Sequence, residues 1–323
     1  MNASLMYFHS HIPAIIVPNL MQTTHTLVMI RPDHFGFNPQ TAATNVFQHQ
    51  PTESEETIKQ KALHEFAEMT KTLRLHSLSV LELSSPNIIT PDAVFPNNWF
   101  SHHEKNTLIL YPMLAPNRRA ERQPNELINL LKENNIPDPK IIDLTAWENS
   151  GNILEGTGSL VLDRVNKIAY AMDSPRTTKT AFEKWCQTMN YEGLLFHAYD
   201  KDKVPVYHTN VLMSVGNHFA VVCFESMQDA QEKELLRKKL QETNKTIIDI
   251  SIQQMFQFCG NILEVKTLDK KPAIILSETA HYAFTSEQKN TLSQFGEFIV
   301  TKIPTIESIG GGSARCMVAE IFA

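Results

Sequence analysis

Cysteine is scarce in this chain. There are four in 323 residues, at positions 186, 223, 259 and 316, with no CxxC spacing. That excludes a disulfide framework, a zinc ribbon and a thioredoxin-type redox pair, and it makes a reducing, cytoplasmic compartment the default expectation. Glycine is also sparse, with 11 residues against 17 prolines, so collagen-like and low-complexity classes are out. Basic residues do not dominate. Lys plus Arg is 29 and Asp plus Glu is 35, a net charge of −6. Neither nucleic acid nor a membrane surface is expected as partner. No apolar run approaches the roughly 18 residues of a membrane span. The 13 histidines include no HExxH pattern, so no metal site is expected, and nothing points to a cofactor. The first twenty residues lack a basic start, an unbroken apolar stretch and a small-residue cleavage site, which argues against a secretory signal. They read as an N-terminal extension, or as a start codon placed too early.

Enough apolar material is present for a large core: 42% hydrophobic residues and 20% charged ones. Length alone suggests two domains, but an internal repeat overrides that. Gly151-Asn152-Ile153-Leu154-Glu155 recurs as Gly260-Asn261-Ile262-Leu263-Glu264, and the strand-like segment opened by Asn98 recurs at Asn210. The two series interleave, so the module is about 55 residues, with openings near 98, 152, 210 and 261. A fifth opening, near Cys316, has too little chain left. The N-terminal strand HTLVMIRP and the helical stretch after it can complete that unit. Five strand-rich units closed by the termini form a ring, hence one domain over 21–323. The stripes Ile58, Leu63, Phe66, Met69 and Leu235, Leu236, Leu240 are read as the buried faces of two helices.

In such a ring the turns that open the modules converge on the axis. The polar residues there are Asn97, Asn98, Glu155, His208, Asn210 and Cys316. A thiol, an imidazole and a carboxylate at equivalent positions form a candidate shared site. Cys316 ends Gly310-Gly311-Gly312-Ser313-Ala314-Arg315-Cys316, where glycines permit close approach of backbone to a ligand. A thiol needs a basic or positive neighbour to attack, and His208 can move protons near neutrality. Glu155 stands among apolar residues and glycines, where a carboxylate needs a partner. Cys223 and Glu264 are read as structural.

At these residues the sequence resembles the guanidino-group-modifying superfamily, whose fold is the pentein, a five-bladed α/β propeller of ββαβ modules around a central site. The matching segments are FPNNW, ILEGTG, HTN and GGGSARCM, in order from Met21 to Ala323. IRPDHFGFNPQTA, YPMLAPNRRAER and ENSGNILEGTGSLVLDR make it most similar to the citrulline-utilisation hydrolase branch. The resemblance implies that Cys316 attacks the central carbon of a guanidino or ureido group and that His208 protonates the leaving nitrogen and then activates water. Glu155 would hold His208 and bind substrate N–H groups. It also implies arginines for the substrate carboxylate, here Arg118 or Arg119, and Arg176. Deiminase relatives hold the cationic guanidinium with aspartates, where this chain has Asn98 and Asn210. Asparagine both donates and accepts, which suits a neutral ureido group. The expected reaction is therefore citrulline to ornithine, ammonia and carbon dioxide. The alternatives are an arginine or substituted-arginine deiminase or dihydrolase, an amidinotransferase, and a non-catalytic propeller that only binds. A homo-oligomer stays open.

Overall fold

Short apolar segments pair into five sheets of three strands each, described over residues 21–86 and 88–322 of a computed structural model. The extension expected over 1–20 lies outside the described residues. The sheets comprise β3 (Phe100–His103), β4 (Thr107–Leu110) and β5 (Lys140–Asp143); β6 (Leu160–Asp163), β7 (Ile168–Met172) and β8 (Glu192–Phe196); β9 (Met213–Val215), β10 (Phe219–Val222) and β11 (Thr246–Asp249); and β12 (Leu263–Lys266), β13 (Pro272–Ser277) and β14 (Glu297–Thr301). The fifth joins β15 (Ala319–Ile321) to β1 (Thr26–Ile30) and β2 (Ser79–Leu83). In every sheet the first two strands are antiparallel and the third is parallel to the second. A parallel return needs a crossover, and helices supply it. This is the ββαβ unit five times over: the repeat predicted five strand-rich modules, and the family resemblance implied their ββαβ form. The fifth unit closes the chain on itself, with Thr26 opposite Ile321 and Val28 opposite Ala319.

Local sequence explains the elements. The β3–β4 hairpin turns through Glu104, Lys105 and Asn106, the last two at positive φ, a backbone that Asn adopts more readily than most residues. The crossover helix Glu55–Leu75 starts at Ser54, whose side chain accepts from Thr57 N, and Glu55 and Glu56 complement the positive end of its dipole. It buries Ile58, Ala62, Phe66, Met69 and Leu73, a helical stripe, against β1 and β2 residues such as Leu27, Met29 and Val80. Full burial of such side chains is worth about 1.5–3 kcal/mol each. Leu63, expected in that stripe, is only half-buried. In the crossover helix Ala230–Glu242, Leu236 and Leu240 are buried while Leu235 is exposed. Adjacent residues on a helix lie about 100° apart, and here the buried face takes in Leu236 and leaves Leu235 at its solvent edge.

The segments that lead into the first strands meet around the axis. Thr157 Oγ1 donates to Asn97 O (3.4 Å), and Thr209 Oγ1 donates to Ser159 O (2.7 Å). Asn261 Nδ2 donates to Asn210 O (2.8 Å), and Arg315 N donates to Asn261 Oδ1 (3.1 Å). All five modules are linked this way, which places their polar residues at a common centre.

Candidate active site

Cys316 follows the glycine triplet. Gly311 sits at φ +66°, a left-handed backbone that favours glycine, and its carbonyl accepts from Tyr207 Oη at 2.6 Å. The loop so held delivers a buried thiol between two carboxamides. Asn261 Nδ2 points at Cys316 Sγ from 3.2 Å and Asn210 Nδ2 from 3.4 Å. Asn261 also accepts from Arg315 N at 3.1 Å, so its donor end is fixed toward the sulfur.

His208 Nε2 lies 2.9 Å from Glu155 Oε2, and both side chains are buried. The second carboxylate oxygen, Oε1, accepts from Leu114 N at 3.0 Å. Burial opposes ionisation of Glu155. Arg176 Nη1 at 3.6 Å, the His208 hydrogen bond and Arg118 Nη1 at 3.8 Å outweigh it and hold the carboxyl down to about 2. Burial pushes His208 down to about 4, against the pull of Glu155 and with help from Arg176 and Arg118. At neutral pH the imidazole is therefore uncharged. An ionised acceptor on Nε2 assigns the proton to that nitrogen and leaves the Nδ1 lone pair as the base.

Glycines let these parts come together. A methyl group on Gly158 would stand 2.4 Å from Asn98 Nδ2 and 2.8 Å from the His208 ring, and one on Gly156 would stand 2.2 Å from Asn97 O. The GTG segment after Glu155 is thus the floor on which Asn98 and His208 pack.

Cys316 and His208 face one cavity, about 250 Å³ including its mouth, with Asn98, Arg118, Arg176, Asp92, Tyr207 and the glycine loop in its wall. Arg118 is buried and forks onto Glu121, Nε to Oε1 and Nη2 to Oε2, both at 2.9 Å, while Nη1 donates to Asn98 Oδ1 at 2.8 Å. Burial works against the Arg118 charge, but Glu121 and Asp92 outweigh it and keep the guanidinium firmly protonated. Arg176 donates through Nε and Nη2 to Thr44 Oγ1 (3.3 and 2.9 Å) and through Nη2 to Thr41 O (3.2 Å). Its guanidinium sits 4.8 Å over the Tyr207 ring. Among the described residues its Nη1 has no hydrogen-bond partner.

Several expected residues stand elsewhere than foreseen. Arg119, paired with Arg118 in sequence, is outside this cavity. It donates to Met113 O (3.0 Å) and Leu114 O (3.3 Å) and pairs with Glu148 at 3.6 Å. The two arginines share one helical turn, so their side chains diverge. Asn98 is inside the site, but its Oδ1 is taken by Arg118 and its Nδ2 donates to Asn97 Oδ1 at 3.1 Å. Asn210 stands beside the sulfur rather than in the cavity wall, and its Oδ1 has no partner. Sequence reasoning missed Asp92 and Asn261. Asp92 is buried. Its Oδ2 accepts from Asn38 Nδ2 (2.7 Å) and Thr41 Oγ1 (3.0 Å), and its Oδ1 has no partner. Among the described residues no cluster of His, Cys, Asp or Glu could hold a metal, and no helix is long and apolar enough to cross a membrane. The four cysteines are unpaired and buried.

A pentein ring with a thiol, an imidazole and a carboxylate at its centre defines the class: the guanidino-modifying hydrolases. A family model described as N,N dimethylarginine dimethylhydrolase, eukaryotic, matches residues 31–323, and the chain belongs to that family. A comparison with curated protein sequences finds no match. Solved structures share the fold. The N-terminal domain of the cyanobacterial arginine dihydrolase ArgZ, bound to substrate, superposes with a TM-score of 0.69 at 16% identity over 92% of this chain and 97% of that one. AgrE in a ternary complex with ornithine and NAD+ gives 0.70 at 18% identity, over 92% of this chain and 39% of that longer one. The dimethylarginine hydrolase of Pseudomonas aeruginosa, complexed with citrulline, gives 0.62 at 14% identity, over 93% and 100%.

Proposed function

We propose that this protein is a cysteine-dependent hydrolase of the ureido group of a small amino acid, converting citrulline and water to ornithine, ammonia and carbon dioxide. The observation that carries this reading is the setting of the sulfur. Its polar neighbours are the carboxamides of Asn210 and Asn261, with Asn98 in the adjoining wall. The carboxylate held by His208 is already balanced by Arg176 and Arg118. A bare guanidinium would find no unspent carboxylate in contact with the thiol, whereas a neutral ureido group needs none.

The residues then act in sequence. Neutral His208 takes the proton of Cys316 as the sulfur attacks the ureido carbon, and returns it to the departing nitrogen, which leaves as ammonia. The carbon is now held as a thiocarbamate on Cys316. His208 next takes a proton from water as its oxygen attacks the thiocarbamate carbon, and returns that proton to the departing Cys316 sulfur. The resulting carbamic acid loses carbon dioxide, its proton passing to nitrogen, to give ornithine. Glu155 keeps the His208 proton on Nε2 throughout. The unpartnered Asp92 Oδ1 receives the α-ammonium group, and Arg176 Nη1 receives the α-carboxylate. The unpaired cysteines agree with a reducing cytoplasm.

One observation favours a second reading. Asp92 Oδ1 is a free carboxylate oxygen on the cavity wall, and a guanidinium could take it instead. The structural neighbours named for arginine dihydrolysis and the dimethylarginine family model keep arginine and dimethylarginine in the substrate panel. The test is to incubate the purified protein with citrulline, arginine and dimethylarginine and to identify products by mass spectrometry. Ornithine from citrulline, lost in Cys316→Ala, is the expected result. Turnover of arginine or dimethylarginine without turnover of citrulline would remove the ureido reading.

A further inference from the structure

A second cavity, of about 400 Å³ including its mouth, is lined by Asn210, Ser214, Arg164, Arg315 and Glu320 among others. Cys316 and His208 do not face it. Asn210 does, while its Nδ2 reaches Cys316 Sγ, so the Asn210 carboxamide is the partition between the sulfur and this space.

Charge in its wall does not balance. Arg315 Nη2 and Arg164 Nη2 both turn to one oxygen, Glu320 Oε2, at 2.9 and 3.6 Å. Among the described residues no further carboxylate faces the pair, and Cys316, the other group that acts on the Arg315 charge, is a neutral thiol until it gives up its proton. Arg164 Nη1 meets His103 Nδ1 at 3.2 Å, and burial together with Arg164 keeps that imidazole neutral. Asp163 is matched by Lys245 at 3.0 Å and Glu104 by Lys167. The two guanidiniums also meet Val318 O, which accepts from Arg315 Nη1 at 2.9 Å, and the Phe322 ring, 4.1 Å from Arg164. Burial lowers Arg315 against the pull of Glu320. Among the described residues one positive charge is therefore in excess at a site more than nine-tenths buried, a costly arrangement without a counter-ion.

Two buried polar atoms in the same wall have no partner among the described residues: Ser214 Oγ and Asn210 Oδ1. A hydroxyl can donate to an anion, but an amide oxygen can only accept. A single small ligand that meets all of these groups at once carries both negative charge and an O–H. We propose that this cavity is a binding site for a small protonated oxyanion, bicarbonate, with its charged oxygens on Arg164, Arg315 and Ser214 and its O–H donated to Asn210 Oδ1. Bicarbonate is also the hydrated form of the carbon dioxide released under the proposed function. Only that link to the product rests on the reading above; the site itself does not.

The test uses Cys316→Ser protein, which cannot complete the reaction, so binding is read independently of activity. Thermal melts are compared in bicarbonate, nitrate and gluconate at pH 8 and equal ionic strength. Nitrate matches the planar shape and charge but has no O–H. Bicarbonate at ten times its Kd should raise Tm by about 2 °C, nitrate by clearly less and gluconate not at all. Arg164→Gln, which removes the excess charge, should abolish the effect. Because Arg164 is buried and that variant could fail to fold, Ser214→Ala serves as the second variant and should weaken it. Equal shifts with bicarbonate and nitrate, no shift with bicarbonate, or an undiminished shift in both variants would overturn the proposal.

Discussion

His208 Nε2 and Glu155 Oε2 are 2.9 Å apart, and both side chains are buried. This contact sets three things at once: the tautomer of the imidazole, its orientation toward the cavity, and the neutralisation of two buried arginines through the same carboxylate. Replacing Glu155 by Gln keeps the shape and removes the charge. The amide can turn either its oxygen or its NH2 to His208, so the tautomer is no longer dictated, and Arg118 and Arg176 lose a counter-charge. Glu155→Gln should lower kcat by roughly 10²–10⁴ and destabilise the fold by about 3 kcal/mol. Steady-state kinetics and urea denaturation on one preparation measure both. A variant with full stability and unchanged kcat would mean that the pair is decorative.

The pH dependence of stability follows from His208 with a definite sign. Its folded-state value is about 4, below the ordinary 6.5. The unfolded chain therefore binds the proton more readily, and acid favours unfolding. The contribution is full above pH 6.5 and is lost as pH falls toward 4. Its size is at most about 3 kcal/mol. His208→Gln should flatten the fall between these limits relative to wild type. His103 is depressed in the same sense but is present in both proteins, so the difference isolates His208. Glu155 would act lower, near 2, outside this window.

Asn261 offers a test of how the sulfur is held. Its Nδ2 points at Cys316 Sγ and its Oδ1 is tied to Arg315 N. Asn261→Asp keeps the size and places an acceptor, or a negative charge, against the sulfur. Loss of a donor aimed at developing charge costs roughly 10²-fold in related settings, so kcat and the rate of Cys316 alkylation by iodoacetamide should both fall by about that factor. A fall in kcat with unchanged alkylation would mean that Asn261 acts elsewhere.

Much of this arrangement was legible before any coordinates. The repeat fixed the module, and the module placed Glu155, His208 and Cys316 at equivalent openings because the segments that enter the first strands all turn toward the axis. What escaped did so for local reasons. Asn261 lay in plain view within the repeated Gly-Asn-Ile-Leu-Glu, but it served as a marker of periodicity instead of being weighed as a donor; its place one module before Cys316 was the available signal. Asp92 precedes the FPNNW opening and so carries no mark of the repeat. Arg118 and Arg119 could not be separated without the phase of a one-turn helix. For the same reason Leu235 was grouped with Leu236, although only the latter is buried. The dual role of Asn210, touching the sulfur on one side and a second cavity on the other, depends on side-chain direction, which spacing does not encode.

The tightest packing in the site yields the last prediction. Gly158 adjoins Asn98 and His208 so closely that a methyl group would lie 2.4 and 2.8 Å from their side chains. Neither neighbour can retreat freely. Asn98 is held by Arg118 and Asn97, and His208 by Glu155. Gly158→Ala should therefore cost about 1–3 kcal/mol of stability and, by displacing the imidazole, about 10²-fold in kcat. Gly36 is the matched control. A methyl there meets nothing within 4 Å, so Gly36→Ala should leave kcat unchanged and stability within about 1 kcal/mol. If Gly158→Ala behaves like Gly36→Ala in both measurements, the floor beneath His208 is softer than its hydrogen bonds imply, and the fixed geometry assigned to the Glu155–His208 pair fails with it.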